Sequence, residues 1–287
     1  MTDDGGAGGT LWLVATPIGN LADITERAAT LLRTVEVVVC EDTRRTGRLL
    51  RHLGARPRRL IVANEHTEAE AAAAVEALIE AGTDVAMVSD AGTPGISDPG
   101  ARVVSAVIEA GGEVSVAPGP AAVIGALIVS GLPTDRFVME GFLPRKGGAR
   151  VAAIDALVTE PRTAVIYESP KRLRTTLAEL SAACGADRPA VVVRELTKLH
   201  EEVVRGTLGQ LVERFVDEPK GEIVLVLGGS APPTVDDPDI TSALEAELAT
   251  GLSRRDAVAA VVTRLGVARN RVYDLALERN PSSDEVD

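Results

Sequence analysis

Cysteine, histidine and aromatic residues are scarce in this chain. Its 287 residues include two Cys, three His, three Phe, two Tyr and one Trp. Cys40 and Cys184 form no CxxC pair, which excludes a disulfide scaffold and argues against a Cys/His zinc site. We therefore expect reduced thiols in a cytoplasmic protein that holds no metal.

Long hydrophobic runs are also absent. The longest one, Ala121 to Leu132, is shorter than the roughly 18 residues that a membrane-spanning helix needs, and Gly125 and Gly131 interrupt it. Residues 1–10 are acidic and glycine-rich, without the basic and hydrophobic regions of a signal peptide. We interpret them as a disordered tail.

Positive charge is in deficit overall but concentrated in one place. The 42 acidic and 30 basic residues give a net charge of −12, which excludes a protein that coats nucleic acid through its overall charge. The segment from Thr43 to Leu60 nevertheless holds seven arginines and no acid. Such a patch suits phosphate contacts, the alternative being a solvated helix face whose partners lie elsewhere in the fold. A second basic loop contains Arg145, Lys146 and Arg150, and it too is either a phosphate contact or simply solvated.

Short β-branched runs alternate with amphipathic runs, including a predicted helix over Leu21–Arg33. This alternation is typical of α/β domains with mostly parallel sheets. Closely spaced strands near the end of the second series predict some antiparallel pairing. The domains we expect are an N-terminal α/β domain at 11–120, a C-terminal α/β domain at 121–229, a linker at 230–239, a helical segment at 240–280 and an acidic tail at 281–287.

Two loops that follow predicted strands are candidates for ligand binding. Ser89–Gly100 reads Ser-Asp-Ala-Gly-Thr-Pro-Gly-Ile-Ser-Asp-Pro-Gly, and its glycines let backbone amides approach a ligand closely. Asp98 is also suited to cap the next helix, so the alternative is a purely structural role as a long capped turn. The other loop, Thr16–Asn20, is a ligand loop or a structural turn. Neither loop is a GxGxxG or P-loop motif, which disfavours an NTPase and a standard dinucleotide-binding domain.

Carboxylates and cations follow two strands in the second half of the chain, in Tyr167–Arg172 and Arg194–Glu202. These charged side chains predict a buried polar network that shifts a Lys or Glu pKa toward neutrality and supplies a general base. The alternative is an ion-pair network that orders a domain interface. The predicted members of the network are Glu168, Arg172, Arg194, Glu195, Lys198 and Glu201.

Taken together, these motifs resemble one family. The chain is similar to the ribosomal RNA small subunit methyltransferase I family, within the tetrapyrrole (corrin/porphyrin) methylases, from about Leu11 to Gly229. The segments that carry the resemblance are Ala15–Thr25, Glu41–Arg44, Ser89–Gly100, Pro118–Pro120, Ser130–Phe137, Glu140–Pro144, Tyr167–Pro170 and Arg194–Lys198.

The resemblance implies two α/β domains of the tetrapyrrole-methylase type, with S-adenosylmethionine in the cleft between them, plus a small C-terminal helical segment. It also implies a homodimer, and methyl transfer to the ribose 2′-hydroxyl of a cytidine in the 16S rRNA decoding centre of the 30S subunit. The superfamily has a serine in the segment where this chain has Ala121 and Ala122. The cofactor-binding residues we expect are Thr16, Pro17, Gly19, Ser89, Asp90, Ala91, Gly92, Thr93, Pro94, Gly95, Pro118, Gly119, Ala121 and Tyr167.

The methyl group of such a cofactor is already activated, whereas a ribose hydroxyl is a weak nucleophile near neutral pH. A base or a nearby cation would help by about 10²–10⁴-fold. We expect Lys198 or Glu195 in this role, with Glu168 and Arg194 as orienting residues. We expect RNA phosphates at Arg44, Arg45, Arg48, Arg51, Arg145 and Lys146. The rival hypotheses are a methyltransferase for a small tetrapyrrole-like molecule and a non-catalytic rRNA-binding factor on the same fold.

Overall fold

The computed structural model describes residues 8–231 and 235–278. These residues form two compact units, and the division falls between Ser230 and Ala231. The predicted acidic tail at 281–287 and most of the predicted tail at 1–10 lie outside the described residues. No helix in the described ranges is long and apolar enough to cross a membrane.

The first sheet of the first unit is parallel throughout, as the alternating pattern predicts. Its strands are β1 (Thr10–Val14), β2 (Val37–Cys40), β3 (Arg59–Val62), β4 (Val85–Met87) and β5 (Glu113–Ala117), in the order β3-β2-β4-β1-β5. On one face lie α1 (Glu26–Thr34) and α2 (Thr43–Leu53), and on the other α3 (Glu68–Glu80) and α4 (Ala101–Glu109). Because both faces are covered, β2 is buried along its whole length.

The second sheet is mixed, in agreement with the predicted antiparallel pairing. Its strands are β6 (Phe137–Phe142), β7 (Thr163–Glu168), β8 (Pro189–Arg194), β9 (Glu202–Thr207) and β10 (Ile223–Leu227), in the order β6-β7-β10-β8-β9. Only β6 and β7 pair in parallel among these described strands. One face packs against α5 (Ala122–Ser130), and the other against α6 (Gly148–Val158), α7 (Pro170–Cys184) and α8 (Leu208–Arg214).

The second unit is helical, with α9 (Asp237–Ala249), α10 (Arg254–Leu265) and α11 (Arg269–Glu278) around one small core. Ser253 caps α10, since its hydroxyl accepts from the amide of Asp256 at 3.2 Å. The predicted linker extends to residue 239, but α9 already begins at Asp237. The side chain of Asp236 caps this helix.

The predicted single helix over Leu21–Arg33 is wrong. The structure has a short 3₁₀ turn at Leu21–Asp23, and α1 begins only at Glu26. Asn20 caps the turn and Thr25 caps α1, each by accepting a backbone amide through its side chain. Two capping side chains so close together divide the apolar pattern into two elements.

Arg150 does not belong to an exposed basic loop. It is buried on α6, where its guanidinium donates to the Pro144 carbonyl at 3.0 Å and to the Thr176 hydroxyl at 2.8 Å, and pairs with Glu179. The Thr176 hydroxyl in turn donates to Glu168 Oε2 at 2.6 Å. A chain of buried hydrogen bonds therefore connects α6 through α7 to the end of β7.

The substitution Thr176→Val tests this buried chain. It removes a donor from Glu168 and an acceptor from Arg150 at almost constant volume, so we expect the free energy of unfolding to fall by about 1–3 kcal/mol. Urea denaturation measures the change, with Thr30→Val on the exposed side of α1 as the matched control. Equal stability of the two variants would show that water or a rearranged side chain replaces the lost hydrogen bonds.

Candidate active site

A cavity of about 350 Å³ lies between the two sheets of the first unit. Loops after strands of the first sheet form one side of it, as expected for the carboxyl edge of a parallel sheet. The other side comes from α5 and from the second sheet. The lining residues used below are Ile18, Ala91, Gly92, Thr93, Asp98, Ala121, Phe142, Tyr167, Glu168, Leu196 and Glu222.

Five of the predicted cofactor-binding residues line this cavity: Ala91, Gly92, Thr93, Ala121 and Tyr167. The other nine are not among its lining residues: Thr16, Pro17, Gly19, Ser89, Asp90, Pro94, Gly95, Pro118 and Gly119.

The Thr16–Asn20 loop supports the Ser89–Gly100 loop. Thr16 is buried and exchanges two backbone hydrogen bonds with Gly92, at 2.8 and 3.1 Å, while its hydroxyl donates to the Ser89 carbonyl. Gly92 has a φ of +82°, and an added Cβ would lie 3.3 Å from Ile18. A side chain at position 92 would therefore strain the backbone and press on the cavity wall.

The alternative prediction for the Ser89–Gly100 loop, a turn in which Asp98 caps the next helix, is wrong, because Asp98 does not cap α4. The amides of Gly100 and Arg102 donate to Glu68 Oε1 at 2.8 and 3.1 Å, so a carboxylate from α3 fills that position. Asp98 instead lines the cavity. Burial and the nearby charge of Asp90 raise the pKa of Asp98, partly opposed by a hydrogen bond from Ser89.

The prediction of one polar network is wrong, because its six members fall into separate groups. One of them, Glu201, accepts through its side chain only from the backbone amide of Thr197, at 2.6 Å, among the residues that the structure describes. Glu168 is buried and accepts from Ser169, Arg172 and Thr176. Arg194 pairs with Glu202 at 2.9 Å and donates to the Lys220 carbonyl. Each group orders its own strand end.

Lys198 forms a third group with two carboxylates. Its Nζ lies 2.8 Å from Glu195 Oε1 and 2.8 Å from Glu222 Oε2. Burial lowers the pKa of Lys198, but the two hydrogen-bonded carboxylates outweigh burial, so the pKa is raised. The same hydrogen bond lowers the pKa of Glu195. Lys198 is therefore a fixed cation at neutral pH. The pKa values of Lys198 and Glu195 are both shifted away from neutrality, the range that suits a general base.

The loops on the two sides of the cavity touch each other and are strained. A Cβ at Gly19 would overlap the side chain of Lys198, so the two loops are in close contact there. Ser97, Glu195 and Thr197 all have positive φ values, of 60°, 50° and 67°. Such conformations cost about 1–3 kcal/mol each in a non-glycine residue and persist where the surroundings fix them.

The basic helix α2 begins beside the same cavity loop. Asp90 accepts from the amide of Asp42 at 3.2 Å and lies 3.4 Å from Arg45 Nε. Arg44 pairs with Asp42 at 2.7 Å. Two further arginines of this helix, Arg48 and Arg51, are exposed and form no ion pair with any residue that the structure describes.

The second predicted basic group is smaller than expected. Arg145 and Lys146 are exposed in the turn before α6, whereas their neighbour Arg150 is the buried residue described above.

Phe142 and Glu222 are among the lining residues that the sequence did not predict as site residues. Phe142 packs edge-on against Tyr167, with ring centroids 5.6 Å apart. Glu222, directly before β10, is paired with a lysine 24 positions earlier in the chain. Phe142 lies in Glu140–Pro144, a segment of the family resemblance, but its contact with Tyr167 depends on the pairing of β6 with β7. Glu222 lies in no motif and reaches Lys198 because β10 pairs with β8.

The lining of the cavity suits a cationic ligand with an aromatic part. Carboxylates of Asp98, Glu168 and Glu222 belong to it, and none of its described lining residues is a lysine or arginine. The Phe142 and Tyr167 rings add an apolar, π-rich wall that favours cations and flat rings. No cluster of three His, Cys, Asp or Glu side chains in residues 8–231 and 235–278 is arranged to hold a metal ion.

Comparisons with known proteins identify the family and the fold of this chain. Residues 10–212 match the family model of the Tetrapyrrole (Corrin/Porphyrin) Methylases, and residues 234–280 match the RsmI C-terminal HTH domain. The fold resembles uroporphyrin-III C-methyl transferase from Thermus thermophilus, solved in complex with S-adenyl homocysteine. The TM-score is 0.55 at 22% identity, over 77% of this chain and 97% of that one.

Curated relatives are much more similar in sequence. Ribosomal RNA small subunit methyltransferase I from Synechocystis sp. is 44% identical over 94% of this chain and 98% of its own length. The protein of that name from Escherichia coli O157:H7 is 42% identical over 94% of this chain and 96% of its own. The chain thus belongs to the tetrapyrrole (corrin/porphyrin) methylase family and, within it, to the ribosomal RNA small subunit methyltransferase I proteins.

Proposed function

We propose that this protein transfers a methyl group from S-adenosylmethionine to the 2′-hydroxyl of a cytidine ribose in the 16S rRNA decoding centre. The observation that carries the proposal is the link through Asp90, which joins the arginine helix α2 to the loop that lines the cavity. A phosphate backbone held on α2 lies beside the loop of the cofactor site. The choice of the ribose oxygen rests on the family resemblance.

The cavity residues fit the cofactor. S-adenosylmethionine carries a cationic sulfonium with an activated methyl group, and an adenine ring. Asp98 and Glu222 provide negative charge in the lining, and Phe142 and Tyr167 provide an aromatic wall. Because Gly92 has no side chain, a ligand can contact the backbone of the cavity wall at this position. The solved T. thermophilus relative with S-adenyl homocysteine supports the same class of ligand.

Lys198 orders Glu222 on the cavity wall and, in this proposal, supplies the fixed positive charge that acts on the reacting oxygen. A cation stabilises the negative charge that develops when a hydroxyl loses its proton. Glu168 and Arg194 act as orienting residues, since they fix the ends of β7 and β8 from which the cavity wall continues.

Recognition of the RNA rests on arginine rather than on aromatic stacking. Aromatic residues are 2% of the chain, so stacking of bases on side chains is a minor contribution. Arg44, Arg45, Arg48 and Arg51 offer phosphate contacts along α2, and Arg145 and Lys146 offer a second contact. We further propose that the enzyme is a homodimer in the cytoplasm, which sedimentation velocity and cell fractionation test.

The direct test is methyl transfer from radiolabelled S-adenosylmethionine to 30S subunits that lack the modification. We expect label on a single cytidine ribose, located by nuclease digestion and mass spectrometry. Absence of label, with cofactor bound and competent subunits, would favour a small tetrapyrrole-like substrate. Failure to bind the cofactor at all would favour a non-catalytic rRNA-binding factor.

A further inference from the structure

Asp98 occupies a place in the cavity that its sequence context does not explain. It precedes α4 by a few residues and has the chemistry of a cap, but Glu68 from α3 already accepts the helix amides of Gly100 and Arg102. The Asp98 carboxyl is thereby freed from the helix and belongs to the cavity wall. Apart from the hydrogen bond from Ser89, no cation and no helix amide of the described residues engages this carboxyl, which leaves it available for chemistry in the cavity.

The loop around Asp98 is held rigidly. The amide of Gly95 donates to the Pro99 carbonyl at 3.3 Å, and the Thr93 hydroxyl donates to the Pro120 carbonyl at 3.2 Å. Ser97, directly before Asp98, has a φ of 60°. A backbone that is fixed in a strained conformation keeps the side chain that follows it in place, as a reacting group requires.

Two carboxyls and one phenol, those of Asp90, Glu41 and Tyr167, interact electrostatically with Asp98. Glu41 follows β2, and burial and the charges of Asp90 and Asp98 raise its pKa. On the second sheet, Tyr167 is close enough for the Asp98 charge to raise its pKa, after the larger effect of burial. Arg45 on α2 is the cation that offsets this charge, and it acts on Glu41 and Asp90. Negative neighbours and burial both increase the affinity of a carboxylate for a proton.

Lys198 and Glu195, in contrast, are poorly suited to accept a proton. Lys198 keeps its proton because two carboxylates hold it, and Glu195 is a weakened base because Lys198 donates to it. Among the carboxyls in the lining, Glu168 already accepts from Arg172 and Thr176, and Glu222 is paired with Lys198.

The geometry points to Asp98 as the general base of the reaction, an inference that rests on the function proposed above. The hydroxyl proton moves to the Asp98 carboxylate as the ribose oxygen forms its bond to the methyl carbon. The carbon–sulfur bond breaks at the same time, and its electron pair stays on sulfur. Water then removes the proton from Asp98, which restores the carboxylate.

The test compares Asp98→Asn with Asp155→Asn, which removes an exposed carboxyl of α6 outside the cavity. We expect Asp98→Asn to lower kcat by about 10²–10⁴-fold, with Asp155→Asn unchanged. Because the Asp98 charge also contributes to the lining, calorimetry on the enzyme without RNA should give a weaker Kd for S-adenosylmethionine in Asp98→Asn, but by a much smaller factor than the loss of kcat. Filter binding should give the same affinity for 30S subunits in both variants. The rise of kcat with pH that reports deprotonation of Asp98 should be present in the unmodified enzyme and absent in Asp98→Asn.

Two results would overturn the inference. One is a wild-type kcat in Asp98→Asn. The other is a loss of cofactor affinity that accounts for the whole loss of activity, since Asp98 would then be a binding residue. If the unmodified enzyme itself places no methyl group on 30S subunits, the proposed function fails instead, and that outcome is visible before any variant is measured.

Discussion

Replacing Lys198 with methionine is expected to lower kcat for methyl transfer by about 10²–10³-fold, the usual effect of removing one electrostatic stabiliser from an active site. The substitution keeps the length of the side chain but removes its charge. It also leaves Glu195 and Glu222 without the cation that lies 2.8 Å from both. Steady-state kinetics with 30S subunits measures the loss, and Lys198→Arg should restore part of the activity.

The pH profile separates a cation from a base at this position. Because the pKa of Lys198 is raised, the ammonium form persists through neutral and mildly alkaline pH. A cationic role therefore predicts no change in kcat from this group between about pH 7 and 9, whereas a neutral lysine base would become more active across that range. Lys171→Met, on the exposed side of α7, is the charge-matched control. Turnover of Lys198→Met at the wild-type rate would exclude both roles.

Replacing Arg44, Arg48 and Arg51 together by alanine is expected to reduce the salt dependence of 30S binding. Each lost phosphate contact lowers the slope of log K against log salt by roughly 0.7–0.9. The wild-type protein should therefore lose about 20- to 40-fold more affinity than the variant when salt rises from about 50 to 200 mM. Filter binding at several salt concentrations gives the slopes.

The Arg44, Arg48 and Arg51 variant needs a control of equal charge. Arg33→Ala, Arg102→Ala and Arg174→Ala together remove three exposed arginines, from α1, α4 and α7, and test whether net charge alone changes binding. The slope of this control should stay near the wild-type value. If the triple variant kept the wild-type slope, phosphate recognition by α2 would be refuted, although cofactor binding would be untouched.

The alternation of strands and helices and the position of the loop that lines the cavity were predictable from sequence. Regular β-branched runs predict parallel strands, and the glycines and prolines of Ser89–Gly100 predict a loop where the cavity indeed lies. These signals are local, so a single sequence contains them.

Long-range contacts account for what the sequence did not predict. Asp98 has the pattern of a helix cap, and only the position of Glu68 on another helix shows that the cap is already filled. Arg150 is in a basic run, but the fold brings Thr176 and Glu179 to it and buries its charge. Glu222 meets Lys198 because β10 and β8 are neighbours. In each case the partner is distant in sequence, so local pattern cannot identify it.

The positive φ values at Ser97, Glu195 and Thr197 have a consequence for thermal adaptation. Glycine at these positions would remove the conformational strain of the backbone. A screen for heat-resistant variants would therefore select substitutions there. The same change would let the loops on both sides of the cavity sample other conformations. Stability and turnover therefore oppose each other at these three positions, and a more heat-resistant form of the enzyme has to gain its stability elsewhere, away from the cavity.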